Sequence, residues 1–201
     1  MAILITGSSG YLGRSLVQHY RQHNHDVVGI DLKESPWTDK VGSITDAAFV
    51  DNAIRGCDTL IHTAALHKPH LKWHKTEDFI HVNTTGTRIL LEAAVNSSCK
   101  RMVFTSTTST FGETMRRKKH QHAIWVSEKL TPIPEDIYDI TKIAAENLCW
   151  LCHKDTDLNI VVLKTSRFFS EDDIQFELRR RYDQNNLKVN EFICRRVDIR
   201  D

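Results

Sequence analysis

The sequence lacks features that mark several classes of protein. No apolar run approaches the roughly 18 residues of a membrane-spanning helix, and the N-terminus has no charged segment followed by an apolar stretch, as a signal peptide would. The five cysteines are few, odd in number and sparsely placed, which is typical of reduced thiols. The net charge of +1 favours neither nucleic acid nor a membrane surface as a partner. These absences predict a cytoplasmic protein.

The length and composition are those of a globular protein. At 201 residues and 40% hydrophobic content, the chain can bury one substantial core. The sequence has no internal repeat and no low-complexity segment. We therefore expect a single domain over residues 1–201.

The first 31 residues follow a strand–turn–helix–strand pattern. The apolar run at 2–6 predicts a strand, apolar positions at helical spacing predict a helix at 11–23, and residues 25–31 predict a second strand ending in Asp31. Between the first strand and the helix lies Gly7-Ser8-Ser9-Gly10-Tyr11-Leu12-Gly13, with glycines three residues apart.

This glycine-rich turn has the properties of a dinucleotide site. Glycines allow a tight turn and the close approach of a diphosphate, and the last one lets the helix pack on the strand. The N–H groups and the dipole of the helix N-terminus then receive the diphosphate. Asp31 stands where a carboxylate accepts the hydroxyls of an adenosine ribose. Because a 2′-phosphate would meet this carboxylate, the site favours NAD over NADP.

Strands and helices alternate through the rest of the chain. We expect a helix at 47–54 capped by Asp46, a strand at 58–62, a loop at 67–74, a helix at 76–96, a strand at 101–105, a loop or lid at 113–134, a helix at 138–153 and a strand at 158–163. This alternation predicts an α/β fold, a doubly wound (Rossmann) parallel sheet with helices on both faces. The binding crevice is expected at the carboxyl ends of the strands.

Tyr138 and Lys142 are four residues apart and therefore lie on one face of the predicted helix. A lysine beside a tyrosine favours the phenolate and lowers the pKa of the phenol. We expect this effect to make Tyr138 a usable proton acceptor near neutral pH.

Together with further motifs, these residues resemble a known family, the extended short-chain dehydrogenase/reductases of the NAD-dependent epimerase/dehydratase group. The resembling residues are the glycine-rich turn 7–13, Asp31, His62-Thr63-Ala64-Ala65, Val82-Asn83-Thr84-Thr85-Gly86-Thr87, Phe104-Thr105-Ser106-Thr107, Phe111-Gly112, and Tyr138 with Lys142. They occur in the family's order and cover nearly the whole chain.

The resemblance implies a role for each matching residue. Tyr138 is the expected acid/base, Lys142 is expected to hold the nicotinamide ribose, and Thr107, five residues before Gly112, is expected to orient the substrate; Ser106 is the less favoured candidate for that role. Residues expected to contact the NAD cofactor are Gly7, Gly10, Tyr11, Leu12, Gly13, Asp31, Leu32, Ser43, Ile44, Thr63, Ala64, Ala65, Asn83, Thr105, Tyr138, Lys142 and Thr165. No metal is expected.

The sequence departs from the family pattern in two places. Where the family has an acid that holds the adenine amine, this chain has Ser43. Family members also continue into a C-terminal region that shapes the substrate pocket, and we expect that region to be largely absent here because residues 195–201 resemble the segment preceding it.

Three further motifs have a functional and a structural interpretation. Cys149-Trp150-Leu151-Cys152-His153 matches the spacing of c-type haem attachment and of a redox dithiol, yet its place at a helix end favours helix packing. The histidine-dense stretch, with His62, His67, His70, His74 and His81, lacks the paired spacing of a metal site and predicts solvated loop residues. The basic run 116–120 is typical of a solvated loop, with a grip on a diphosphate as the alternative.

Two functions are consistent with these residues. The first is an NAD-dependent oxidoreductase of the epimerase, dehydratase or dehydrogenase type, which takes hydride from a carbinol carbon; on the family's base rates the substrate is a nucleotide sugar. The second is a cofactor-binding redox sensor or scaffold without turnover. The apolar faces of the helices at 76–96 and 138–153 either form a homodimer interface, as the resemblance implies, or belong to the core.

Overall fold

Six strands form one sheet in a computed structural model that describes residues 2–116, 124–168 and 196–197. The strands are β1 (Ala2–Thr6), β2 (Val27–Asp31), β3 (Lys40–Val41), β4 (Cys57–His62), β5 (Arg101–Thr107) and β6 (Asn159–Thr165). Their order in the sheet is β3-β2-β1-β4-β5-β6, which is that of a doubly wound dinucleotide-binding fold. β1 pairs in parallel with β2 and β4, β2 with β3, and β4 with β5.

Helices cover both faces of this sheet. They are α1 (Tyr11–Gln22), α2 (Ala47–Ala53), α3 (Thr76–Phe79), α4 (Gly86–Val95) and α5 (Ile137–Asp155). Successive residues of a strand point to opposite faces, so Leu4 and Ile5 of β1 pack in different clusters. Leu4 contributes to the larger cluster with residues of α2, α4 and α5, whereas Ile5 packs with Val17 of α1. The predicted α/β fold is therefore confirmed.

The structure corrects several predicted boundaries. The sequence does not predict β3, because two residues carry no periodic pattern. This strand pairs in parallel with β2, with Lys40 opposite Ile30 and Val41 opposite Asp31. The predicted loop at 67–74 contains a 3₁₀ turn, Lys68–Lys72. The predicted continuous helix at 76–96 is interrupted by a π-helical segment, Ile80–Thr85, between α3 and α4.

Contacts divide the chain into two compact units, Met1–Lys164 and Thr165–Asp201. In the second unit, the described residues include two short parallel strands, β7 (Arg167–Phe168) and β8 (Arg196–Val197). The single domain expected over 1–201 stays a prediction.

Among the described residues, no helix is long and apolar enough to cross a membrane. The cytoplasmic location stays a prediction.

Candidate active site

The glycine-rich turn is packed so closely that side chains are excluded at two of its glycines. Gly7 has a φ of +72°, and a Cβ atom there would lie 2.8 Å from the backbone nitrogen of Ala64. A Cβ on Gly13 would lie 2.0 Å from the carbonyl oxygen of Gly7. The turn, α1 and the segment after β4 therefore meet backbone to backbone, as the glycine pattern predicts.

The N-terminus of α1 has the properties of an anion site. Gly10 caps the helix in an extended conformation, without a side-chain capping bond in the described part of the chain, and the first turn carries no acidic residue. A Cβ on Gly10 would meet only the Gly7 carbonyl oxygen, at 3.1 Å, so the space beside Gly10 is otherwise open. Backbone N–H groups and the helix dipole favour a phosphate there, and the arrangement fits a dinucleotide diphosphate.

Asp31 ends β2 beside this turn. Its Oδ2 accepts a hydrogen bond of 3.0 Å from the backbone N–H of Ser9, and its Oδ1 accepts one of 3.0 Å from the N–H of Lys33. The carboxylate is thereby fixed next to the glycine-rich turn, where an adenosine ribose would lie. The neighbouring Leu32 is 68% exposed.

The predicted adenine contacts differ in exposure. Ser43 is half-buried, and its hydroxyl group hydrogen-bonds with that of Thr45 at 2.8 Å. Ile44 is buried in the core and packs against Gly86, so its side chain is committed to packing and its main chain is the part left to contact a nucleotide.

The segment after β4, residues 63–66, is hydrogen-bonded to Thr6 and to Asn83. The hydroxyl of Thr6 accepts hydrogen bonds from the backbone N–H groups of Thr63 and Ala64, at 3.2 and 3.1 Å. On the other side, the buried Asn83 accepts from the N–H of Leu66 and donates to its carbonyl oxygen, both at 2.8 Å. Asn83 lies within the π-helical segment, a feature that often occurs at functional sites.

Thr107 and Tyr138 are brought together at the end of β5. Tyr138 lies in the first turn of α5, which Asp136 caps by accepting from the N–H of Asp139 at 3.0 Å. The side chain of Thr107 lies close enough to the Tyr138 phenol to influence its pKa. Ser106 points the other way and donates to the carboxylate of Glu146, which supports Thr107 over Ser106 for the role in the site.

Lys142 does not have the predicted effect on Tyr138. Its Nζ donates to the carbonyl oxygen of Thr105 at 2.7 Å, and burial lowers the pKa of Lys142 to about 7 although Glu146 opposes the shift. Burial raises the pKa of Tyr138 to about 12, with Asp139 and Asp136 adding to the rise. The prediction of a lowered phenol pKa is therefore wrong for this structure, because desolvation outweighs a lysine that is directed to a carbonyl group.

Lys164, Glu146 and Thr110 form a hydrogen-bonded cluster next to β5 and α5. The Nζ of Lys164 donates to both oxygens of Glu146, at 2.6 and 2.8 Å, and to the hydroxyl of Thr110 at 2.9 Å. This cluster ties β6 to α5 and to the 3₁₀ turn that follows β5. Thr165, a predicted cofactor contact, is the last residue of β6 and the first residue of the second unit, and its role stays a prediction.

The histidine-dense stretch is partly as predicted. His67, His74 and His81 are exposed and His70 is half-buried. His62 is the exception: it is buried in β4 between the hydroxyls of Thr6 and Thr87, at 2.8 and 3.0 Å, and burial lowers its pKa to about 3. In residues 2–116 and 124–168, no group of three or more His, Cys, Asp or Glu is placed to hold a metal ion.

The cysteine motif favours its structural interpretation, whereas the basic run is described only at Arg116. Cys149 is buried in α5, and desolvation raises the pKa of its thiol to about 12, which supports helix packing. Arg116 pairs with Glu135 at 2.7 Å, while residues 117–120 of the basic run lie outside the described residues.

The sequence interpretation missed Asp139, Ser109 and Lys68, which surround Thr107 and Tyr138. Ser109 donates to Asp139 at 2.8 Å, and Lys68 donates to the same carboxylate at 3.3 Å. The cap at Asp136 was readable from its position before a helix. The contact with Lys68 was not, since it joins residues 71 positions apart.

Known proteins are similar to this chain in sequence and in fold. Residues 3–191 match the model of the NAD dependent epimerase/dehydratase family. A UDP-glucose 4-epimerase of Halalkalibacterium halodurans is 28% identical over 176 residues, which cover 82% of this chain and 50% of the epimerase. A 3-beta-hydroxysteroid dehydrogenase of Mycolicibacterium neoaurum is 31% identical over 156 residues, covering 72% of this chain and 41% of the dehydrogenase.

A solved structure has the same fold. The crystal structure of a short-chain dehydrogenase/reductase superfamily protein from Agrobacterium tumefaciens with bound NAD matches with a TM-score of 0.76 and 28% identity, covering 96% of this chain and 60% of that protein. The chain thus spans about half the length of the curated relatives it matches. Since the family model matches almost the whole chain, this protein belongs to the NAD-dependent epimerase/dehydratase family.

Proposed function

We propose that this chain is the nucleotide-binding and catalytic part of an NAD-dependent oxidoreductase of the epimerase, dehydratase or dehydrogenase type. The observation that carries the proposal is the placement of Thr107 at the end of β5 near Tyr138 in the first turn of α5, with Lys142 one helical turn further along α5. These residues stand at the carboxyl end of β5, the edge of the sheet where β1 leads into the glycine-rich turn.

The side chains divide the chemistry between them. When bound, a nicotinamide ring accepts or returns a hydride. At neutral pH the phenol of Tyr138 is protonated, because its pKa is raised to about 12, so it can donate a proton to a substrate carbonyl oxygen. For the reverse direction, the ammonium group of Lys142 has to turn from the Thr105 carbonyl toward the phenol and favour the phenolate. Thr107 holds the substrate oxygen within reach of Tyr138.

We assign NAD as the cofactor on the strength of Asp31. Its carboxylate is fixed by the N–H groups of Ser9 and Lys33, so it cannot move aside easily for a 2′-phosphate. A ribose with free hydroxyl groups would donate hydrogen bonds to it instead.

We assign a nucleotide sugar as the substrate because the relatives include UDP-glucose 4-epimerases of Halalkalibacterium halodurans and Streptomyces lividans. The similarity to a 3-beta-hydroxysteroid dehydrogenase makes a steroid the alternative substrate class. This assignment rests on family similarity.

We further propose that the protein is a homodimer through α4 and α5. Large apolar side chains are exposed on or beside these helices: Ile80 is 46% exposed, Val95 40%, Ile140 51% and Leu151 46%. Burying such side chains against a second copy would be favourable.

Light scattering on the purified chain should give twice the mass of one chain. The Leu151→Glu variant should give the mass of one chain, because it places a charge in the proposed interface.

A Tyr138→Phe variant tests the catalytic proposal. Phenylalanine keeps the ring but cannot transfer a proton, so turnover of UDP-glucose should fall by roughly 10²–10⁴-fold while NADH still binds. Tyr20→Phe, on α1 and away from the crevice, is the matched control and should leave both unchanged.

The outcomes separate the proposed enzyme from the sensor or scaffold. Wild-type turnover in Tyr138→Phe would contradict the role of Tyr138. NADH binding by the wild-type chain with no turnover of any nucleotide sugar would favour the cofactor-binding sensor.

A further inference from the structure

A buried carboxylate lies directly beside the candidate acid/base. Asp139 follows Tyr138 in the first turn of α5, and its side chain is fully buried. One oxygen accepts from the hydroxyl of Ser109 at 2.8 Å. The other accepts from Lys68 at 3.3 Å and from the backbone N–H of Glu135 at 3.2 Å. A buried charge needs such partners, and Lys68 provides the opposite charge.

Lys68 connects two parts of the chain that are far apart in sequence. It lies in the 3₁₀ turn that follows β4, and its Nζ is 3.1 Å from Asp136 and 3.3 Å from Asp139. Its side chain is 34% exposed, which leaves room for substitution. These ion pairs connect the 3₁₀ turn after β4 to the first turn of α5, which contains Tyr138.

The carboxylate also sets the direction of the neighbouring hydroxyl groups. A carboxylate only accepts hydrogen bonds, so the Ser109 hydroxyl donates to Asp139 and is left to accept from Thr107, 3.1 Å away. The oxygen of Thr107 in turn accepts from the backbone N–H of Ser109 at 3.1 Å. One lone pair of Thr107 then remains to accept a further hydrogen bond at the site.

We propose that Lys68, Asp139 and Ser109 form a positioning network, which orients the hydroxyl of Thr107 and sets the charge around Tyr138 from the 3₁₀ turn after β4. The proposal rests on the proposed roles of Thr107 and Tyr138, and it adds a residue outside α5 and β5 to the control of the acid/base. Lys68 and Asp139 act through Tyr138 and do not contact substrate.

The charged groups that face Tyr138 come from several elements. Burial of the ring raises the pKa of Tyr138, and the carboxylates of Asp139 and Asp136 raise it further. Lys68 contacts both carboxylates and offsets their charge. Two further charged groups nearby are engaged elsewhere: Lys142 with the Thr105 carbonyl and Glu135 with Arg116.

The network predicts opposite effects for its two charged members. A fluorinated tyrosine at position 138, whose phenol ionises near neutral pH, can be titrated by fluorine NMR in the full 201-residue chain. Lys68→Met leaves two carboxylates uncompensated and should raise the pKa at position 138, by on the order of one unit. Asp139→Asn removes a negative charge and should lower it.

The double variant and a control complete the experiment. Because Asp136 remains, Lys68→Met should still raise the pKa in the Asp139→Asn background, but by less than in the wild-type background. Lys72→Met, in the same 3₁₀ turn but exposed, is the matched control and should give the wild-type value. Lys68→Arg keeps the charge and should restore the wild-type value.

Either of two results would overturn the proposal. One is a pKa in Lys68→Met equal to that in Lys72→Met, and the other is a shift of the same sign in Lys68→Met and Asp139→Asn. If Asp139→Asn does not fold, the comparison of Lys68→Met, Lys68→Arg and Lys72→Met still decides. The titration requires no cofactor or substrate, so a failure of the proposed enzyme activity would not change its outcome.

Discussion

Replacement of Gly13 by alanine should weaken the fold and the proposed nucleotide site together. The new Cβ would lie 2.0 Å from the Gly7 carbonyl oxygen and 2.7 Å from its carbonyl carbon, both backbone atoms that cannot rotate away. Ordinary contacts of a Cβ begin at 3.4 Å, so α1 has to retreat from the turn by about 1.4 Å. Overpacking of this kind costs about 3 kcal/mol, at the upper end of the usual range.

Part of that cost is offset by helix propensity. Gly13 lies inside α1, and alanine in a helix is about 1 kcal/mol more favourable than glycine. The net loss in the free energy of unfolding is then about 2 kcal/mol. For a chain of this size it corresponds to a fall in Tm of about 4–8 °C.

Gly10→Ala is the matched variant at the same turn. Its Cβ would meet only the Gly7 oxygen, at 3.1 Å, and the φ of −70° suits alanine. Its stability should stay within about 1 kcal/mol of the wild type. The methyl group would nevertheless occupy the open side of the turn and should weaken NADH binding by at least about tenfold.

The assay is urea unfolding followed by tryptophan fluorescence, together with NADH titration of each variant. A Gly13→Ala variant as stable as the wild type would refute the close backbone packing of α1 on the turn. A Gly10→Ala variant that binds NADH like the wild type would refute the position assigned to the diphosphate.

Three further predictions follow from single side chains. Asp31→Ala should narrow the preference for NADH over NADPH, because the carboxylate that repels a 2′-phosphate is gone; an unchanged ratio of the two Kd values would contradict this. His62 has a pKa of about 3 in the folded chain against 6.5 when unfolded, so between these pH values the unfolded state binds one more proton. The free energy of unfolding therefore falls by about 1.4 kcal/mol per pH unit as the pH drops from 6.5 toward 3. Urea unfolding of His62→Gln across that window should show a shallower slope, and an equal slope would count against the buried neutral histidine. Lys142 has a pKa of about 7 in the folded chain against 10.5 when unfolded, so the unfolded state binds the extra proton and stability falls as the pH drops from 10.5 to 7. Lys142→Met should remove that dependence, and its persistence would contradict the assignment.

The sequence predicted the parts of this fold that depend on local patterns. The glycine spacing, the alternating strands and helices, and the N-cap at Asp46 all correspond to observed elements. Such features follow from residues close together in the chain, where backbone geometry and hydrophobic period act directly. The short strand β3 and the π-helical segment around Asn83 carry no such local pattern and were missed.

The electrostatics of the site could not be read from spacing. The four-residue separation of Tyr138 and Lys142 places them on one face of α5. It does not reveal that Lys142 donates its hydrogen bond to the carbonyl oxygen of Thr105. Nor does it reveal that desolvation is the largest influence on the pKa of Tyr138. Burial and long-range partners such as Lys68 depend on tertiary structure, so residues close together in the sequence do not determine them.

Titration of the 201-residue chain with NADH and with NADPH, followed by nicotinamide fluorescence, tests the central claim most directly. The account predicts that NADH binds and that its Kd is at least about tenfold lower than that of NADPH, because Asp31 accepts ribose hydroxyls and repels a phosphate. If neither nucleotide binds, or if NADPH binds more tightly than NADH, the assignment of the glycine-rich turn and Asp31 as an NAD site is contradicted.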